Sequence, residues 1–267
     1  MSGASIEIVD ATVDMQVFTA RTVSLKNALG RALTGGRVSQ QDDGIPTVRA
    51  LDGINLSIEA GERVALIGHN GAGKSTLLRL MAGIYRPTTG HVRVEGSIGA
   101  MLDTQLGMDP DFTGRENALL MAAALGLSRA ESQEIIPGVI EFCGLGTFMD
   151  LPVRTYSSGM LARLAFGVHT AVSQDVMLVD EVIGAGDAAF HDKVQGRLAD
   201  VMRKARILVL ASHADGVLER YCTRGIVMSA GTIVQDGPLK EALGFYHWWI
   251  AEAAKLAGAA NPAEESA

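Results

Sequence analysis

Gly68-His-Asn-Gly-Ala-Gly-Lys-Ser75 matches the spacing G-x-x-x-x-G-K-S in full. The chemistry of that spacing is phosphate binding. Its glycines let the backbone curl, so that successive N–H groups converge on phosphate oxygens. A helix that starts at the end of the loop adds the positive end of its dipole. Lys74 is placed to bridge the β- and γ-phosphates, and the Ser75 hydroxyl to hold Mg²⁺. The expected phosphate-binding residues are Gly68, His69, Asn70, Gly71, Ala72, Gly73, Lys74, Ser75 and Thr76. The setting agrees. An apolar run, Val64-Ala-Leu-Ile67, comes before the loop, and a helical pattern from about Ser75 to Gly83 follows it.

A second group of residues suits the same chemistry. Val176-Met-Leu-Val-Asp180-Glu181 reads as a buried strand ending in two carboxylates. Ligands of α/β sheets bind beyond the carboxyl ends of the strands. Asp180 suits the Mg²⁺ role, and Glu181, on the other side of the strand, suits activation of a water in line with the γ-phosphate. His213 follows a further apolar run, Ile207 to Ala211. By itself it reads more readily as a structural histidine, but its order after the acidic strand favours a γ-phosphate contact. Ser157-Ser-Gly-Met160 precedes a helical pattern from near Leu161. Alone, that segment is a helix N-cap; beside a phosphate loop it is also a potential anion site.

The elements that must position these residues are short apolar strands separated by helical stretches, which implies an α/β sheet with right-handed crossovers. Strands are expected at Ile6 to Val9, Leu51 to Ile58 and His91 to Glu95. The region from about Thr113 to Ser173 is expected to be mostly helical, with breaks at Gly126 and at Leu151-Pro152. A closing hairpin from Gly225 to Gly237, a helix from about Pro238 to Leu256, and a disordered tail complete the reading. A helical period at Leu25, Ala28, Leu29, Ala32 and Leu33 carries Arg21, Lys26, Arg31 and Arg37. It reads as a helix packed by its leucine stripe, with a cationic element near a membrane surface as the second reading. Phe245-Tyr-His-Trp-Trp-Ile250 is expected to cover the domain's own core, ahead of docking on a partner or at the bilayer edge.

Composition narrows the function classes. The chain has 267 residues, 23 Lys and Arg against 30 Asp and Glu, and a formal net charge of −7. That balance argues against nucleic acid as a partner. Cys143 and Cys222 lack CxxC spacing, so a disulfide framework and a zinc cage are not expected. The N-terminus has no signal-peptide pattern, and no stretch approaches the ~18 apolar residues of a membrane span. A cytoplasmic protein, peripheral to the membrane through a partner, is expected.

The order of these motifs is similar to that of the ATP-binding subunits of ABC transporters, from about Ile6 to Gly237. In that resemblance Ser157, Ser158, Gly159 and Met160 stand for the signature sequence, Ala185-Gly-Asp187 for the D-loop, and His213 for the switch histidine. A finer resemblance is to the subunits that export lipid-linked polysaccharides such as O-antigen, galactan and teichoic acid. It is carried by Asp111-Phe-Thr-Gly-Arg-Glu-Asn117, by Tyr156 to Met160 with Arg163-Leu-Ala-Phe166, and by Ala185-Gly-Asp-Ala-Ala-Phe190. Met15, with Phe18 nearby, stands where the family stacks an aromatic on adenine. The Mg²⁺-sensing glutamine of the family falls among Asp103, Thr104 and Gln105; Gln105 has the residue type, the alignment favours its neighbours, and the position stays open.

The resemblance implies a P-loop ATPase core, mainly a parallel sheet, with an N-terminal antiparallel β lobe and an inserted helical lobe at about 107–173. It implies one ABC ATP-binding domain over 1–250, then a helix end and tail over 251–267, with no C-terminal carbohydrate-binding domain. ATP and Mg²⁺ are the implied ligands. The implied partners are a second copy, binding head to tail, and a separate integral membrane permease, at the cytoplasmic face of a bacterial inner membrane. The rival readings are an ABC-type ATPase without transport and an ATP-dependent scaffold. A GTPase is disfavoured, since no Asn-Lys-x-Asp guanine reader is present.

Overall fold

Alternation of apolar and polar residues sets the first sheet of the computed structural model, which describes residues 3–16, 38–40, 46–102, 107–180 and 188–259. Strands β1 (Ser5–Gln16), β2 (Val38–Gln40), β3 (Pro46–Glu59) and β5 (Thr89–Glu95) form a four-stranded sheet in the order β2-β3-β1-β5. Ile6 and Ile8 of β1 and Leu51, Ile54, Leu56 and Ile58 of β3 turn inward and are buried. β2 pairs antiparallel with β3, as expected of a β lobe. Asp14 of β1 accepts from Arg49 of β3 at 3.0 Å.

Six further strands make up a second, mostly parallel sheet: β4 (Arg63–Ile67), β6 (Ile98–Met101), β7 (Val176–Asp180), β8 (Ile207–Ala211), β9 (Arg224–Ser229) and β10 (Thr232–Pro238). The short continuous apolar runs of β4, β7, β8 and β9 are the mark of strands covered on both faces. β8 is buried throughout, and β7 is buried up to Asp180.

The chain divides into two compact units. One gathers 1–6, 58–62 and 94–209; the other gathers 7–57, 63–93 and 210–267. In the first, β6 and β7 run parallel, with Ile98 opposite Val176. A clamp precedes the pairing: Asp175 Oδ2 accepts from Ser97 N at 3.1 Å and Ser97 Oγ at 3.0 Å, and Oδ1 faces Arg206 Nε at 3.2 Å. The Ser97 backbone bond, above all, holds the Asp175 carboxyl below the usual carboxylate range, against a smaller opposing effect of desolvation. A lowered carboxyl contributes stability that is present above its unfolded value and lost as pH falls through the folded one. Asp175→Asn is therefore expected to lower the urea midpoint at pH 7 and to flatten its decline below about pH 4. Urea titrations at pH 7 and pH 3 check this; an unchanged acid slope would contradict it.

The same unit carries the helical lobe: α2 (Gly114–Ala124), α3 (Arg129–Cys143), two 3₁₀ turns (Gly146–Asp150 and Val153–Thr155) and α4 (Ser158–Ala171). The breaks expected at Gly126 and at Leu151-Pro152 fall between these elements. Thr113 with Glu116 and Ser128 with Glu131 form capping boxes that fix the starts of α2 and α3. Met121, Ile136, Val139, Met149, Leu164 and Val168 close the core of the lobe. Helix α5 (Ala188–Lys204) also belongs to this unit.

In the second unit α1 (Lys74–Met81) follows β4, and β4 runs parallel with β9, pairing Val64 with Arg224. β10 returns antiparallel on β9 as the expected hairpin. After α6 (Asp215–Tyr221), the final helix α7 (Leu239–Ala259) packs on β9.

One expectation is corrected there. Phe245 to Ile250 does not cover the core as a block: Trp248 is 60% exposed and Ile250 45% exposed. Six consecutive residues wrap more than a full helical turn, so they cannot share one face. Phe245 and Trp249, four residues apart, are half-buried and stack at 6.0 Å, whereas Leu239, Ala242 and Leu243 supply the buried contacts. The expected helix around Leu25 to Leu33 and the tail from residue 260 lie outside the described residues, as do Phe18, Asp103 to Gln105, Glu181 and Asp187.

Candidate nucleotide-binding site

The loop from Gly68 to Gly73 leaves the end of β4 and enters α1. Gly73 caps α1 at φ +111°, a left-handed conformation, with no side-chain cap. A Cβ there would also crowd Leu51 Cδ2 at 3.1 Å and the Ala50 carbonyl at 3.2 Å. Gly68 has no room for a side chain either, because a Cβ would sit 2.5 Å from the Met228 carbonyl oxygen. Gly231 N donates to the Ala72 carbonyl at 2.9 Å and ties the loop to the β9–β10 turn. The glycines and this tie thus fix the backbone path of the loop, and α1 starts without a side-chain cap.

Lys74 is the charged group of this loop. It is only 8% exposed, and its Nζ donates to Gly68 O at 2.5 Å and to His69 O at 3.2 Å. The side chain folds back over the loop and keeps its ammonium at the loop's inner rim. Ser75 and Thr76 are half-buried in the first turn of α1. His69, Asn70 and Gly71 are exposed, and the His69 ring meets the Asn70 carbonyl at 2.8 Å through Nδ1. His213 is exposed just past β8 in this same unit, and Met15 is half-buried near the end of β1.

The other unit holds Asp180 and the Ser157 segment. Asp180 is half-buried at the end of β7, as expected of a strand that delivers a carboxylate at its edge. Ser157 is the N-cap of α4, and its Oγ accepts from Met160 N at 3.3 Å. Ser157 and Ser158 are exposed, while Gly159 and Met160 are half-buried. A Cβ at Gly159 would meet nothing closer than 3.9 Å, so the surface over this helix start is open. This geometry is that of the N-cap reading.

What residue types alone did not reveal is how this helix start is held. Asn117 is fully buried; its Nδ2 donates to the carbonyls of Asp109, Phe112 and Thr113, and its Oδ1 accepts from Asp109 N at 2.8 Å. Val153 N donates to Phe112 O at 2.9 Å, and Gly114 N to Leu151 O at 3.2 Å. Arg154 pairs with Asp111, and Arg115 Nε with Asp150 Oδ1 at 3.3 Å. Tyr156 Oη donates to Phe148 O at 2.6 Å, immediately before Ser157. The segment Asp111 to Asn117 is thus the brace of the Ser157 segment. A signal that could have found the start of this brace is the capping-box spacing from Thr113 to Glu116.

Comparison with known proteins decides the family. The family model described as ABC transporter matches residues 51–184, half of the chain. The chain belongs to the ABC transporter family. The O-antigen export system ATP-binding protein RfbE of Yersinia enterocolitica is 43% identical over 227 residues, covering 85% of this chain and 95% of that protein. The O-antigen export system ATP-binding protein RfbB of Myxococcus xanthus is 40% identical, covering 92% of this chain and 56% of the relative. The teichoic acids export ATP-binding protein TagH of Bacillus cereus is 33% identical, covering 80% of this chain and 38% of its own length. Among solved structures, a dimeric ATP-binding cassette in a post-hydrolysis state with ADP and Pi is 20% identical. It covers 88% of this chain and 98% of its own, with a TM-score of 0.63. That likeness shows the ABC ATPase fold. With family and fold together, this ABC protein is an ATPase, and the loop from Gly68 to Thr76 lies within the residues that the family model matches.

Proposed function

We propose that this ABC ATPase drives export of a lipid-linked polysaccharide, of O-antigen, galactan or teichoic-acid type, across the cytoplasmic membrane. The observation that carries the reading is the 43% identity over 85% of the chain to a relative named for O-antigen export. The teichoic acids relative supports the same class of cargo. No helix among the described residues is long and apolar enough to cross a membrane. The pathway is accordingly assigned to a separate integral membrane permease, with this subunit peripheral on its cytoplasmic side.

Two copies are proposed to face each other head to tail. Each ATP then lies between the loop at Lys74 of one copy and Ser157, Ser158, Gly159 and Met160 of the other. Backbone N–H groups at two helix starts and the Lys74 ammonium neutralise the phosphate oxygens. Glu181 takes a proton from the water that attacks the γ-phosphorus, and the bond from that phosphorus to the β–γ bridging oxygen breaks to leave ADP and phosphate. His213 orients the γ-phosphate, Asp187 sits at the junction of the copies, and Met15 with Phe18 flanks the adenine. Mg²⁺, where bound, neutralises phosphate charge. The hydroxyl of Ser75 and the carboxylate of Asp180 are hard oxygen donors that fit it, with the position at Gln105 as a third. Closure on ATP and opening after hydrolysis move the helical lobe, which works the permease.

The test uses the chain co-purified with its polytopic membrane subunit and reconstituted in vesicles that carry a lipid-linked glycan. ATP is expected to move the glycan to the far leaflet, and removal of either subunit to stop it. Equal phosphate release with and without the membrane subunit, and no glycan movement, would favour an ATPase without transport.

A further inference from the structure

A cavity of about 300 Å³ opens where the end of α4 meets α5, lined by none of the residues assigned above. From α5 it receives Arg197, Asp200 and Lys204, spaced i, i+3 and i+7 and so on one helix face. From the segment after α4 it receives Ser173 and Gln174. Gln174 is only 7% exposed, and its Oε1 is buried without a hydrogen-bond partner. Its stem is seated against Gly99, where a Cβ would come within 2.8 Å of Gln174 Cγ. A buried carboxamide with an open acceptor is costly unless something supplies a donor.

The charges at the rim are unequal. Asp200 is ion-paired with Arg203, which leaves Arg197 and Lys204 as excess cations at the cavity. Arg197 is held in place over the Phe142 ring, with Cζ 4.7 Å from the centroid. The site therefore has two cations on one wall and Ser173 and Gln174 on the other. A phosphate dianion answers the two cations, where a single carboxylate answers one. Sugar hydroxyls, which both donate and accept, answer Gln174 and Ser173. The volume lies at the small end of ligand sites and suits one monosaccharide with its phosphate.

We infer that this cavity binds a phosphorylated monosaccharide, held through its phosphate by Arg197 and Lys204 and through its hydroxyls by Gln174 and Ser173. The site connects the end of the helix that begins at Ser157 with α5, so an occupant fixes these two helices to each other.

Calorimetric titration of the full chain, with its phosphate loop saturated by ADP, tests the inference. The probes are glucose 1-phosphate, inorganic phosphate, glucose and glutamate. Saturable binding of glucose 1-phosphate is expected, at least about tenfold tighter than any other probe. Lys204→Glu is expected to weaken it about tenfold or more, and Gln174→Met about fivefold, with ADP affinity unchanged in both. Lys204 is exposed, so its variant keeps the fold. Absence of glucose 1-phosphate binding overturns the inference. So does equal or tighter binding of phosphate or glutamate, or indifference of the binding to both substitutions.

Discussion

Lys74→Ala is expected to lower steady-state phosphate release by at least about a hundredfold, with the fold intact. Among the described residues a buried ammonium such as this is rare, and two loop carbonyls hold it in the turn from Gly68 to Gly73. Its value for turnover lies in being fixed before charge develops on the leaving phosphate oxygens. Loss of one such preorganised donor typically costs 10²–10³ in rate. The same substitution removes hydrogen bonds to the Gly68 and His69 carbonyls, the first of them buried, at a cost of about 1–3 kcal/mol in stability. Thermal melting separates the two effects: ATP should raise the melting temperature of the parent protein by mass action and leave that of the variant nearly unmoved. Lys74→Arg keeps the charge but brings a planar fork into a turn shaped for a compact ammonium, so it should restore only part of the rate. Undiminished phosphate release by Lys74→Ala would remove the site from the loop altogether.

The turn from Gly68 to Gly73 could be read from residue types because its geometry is local. Eight consecutive residues fix the glycine turns, the helix start and the position of the ammonium, and the structure shows all three. The buried strands β7 and β8 were legible for a similar reason, since an unbroken apolar run has no face to give to water. The brace around Ser157 was not. It depends on Asn117 reaching back to Asp109 and on a bond between Tyr156 and Phe148, and neither contact has a spacing rule. Sequence resemblance marked the segment from Asp111 to Asn117, and the structure supplies its physical role. The aromatic stretch in α7 failed as a core cover because composition was weighed without periodicity. A run that is apolar on every side of a helix must leave some of it exposed, and Trp248 and Ile250 are the residues left out.

The brace leads to the second large effect, at Gly114. A Cβ there would lie 2.2 Å from Tyr156 Oη, 3.1 Å from its Cζ and 3.2 Å from Met149 Sδ. None of these atoms is at the free end of a mobile chain: Tyr156 and Met149 are both buried, and the hydroxyl is bound to Phe148 O. Gly114→Ala must therefore push the phenol aside or displace the start of α2, where Gly114 N bonds to Leu151 O. Overpacking of this kind costs about 1–3 kcal/mol, and the broken hydroxyl bond adds about 1 kcal/mol. Since Tyr156 is joined directly to Ser157, the N-cap of α4 shifts with it, and ATP turnover should fall more than ATP binding. Tyr156→Phe alone loses the hydroxyl bond and costs about 1 kcal/mol. In the double variant the atom at 2.2 Å is gone, so alanine at 114 becomes easier to accommodate. The pair should be non-additive, with the double variant at least about 1 kcal/mol more stable than the sum of the single effects predicts. Urea unfolding of the four proteins measures the coupling, and phosphate release shows whether turnover recovers with it. Strict additivity would mean that Gly114 is required for some reason other than the close approach of Tyr156, and the brace would then lose its central contact.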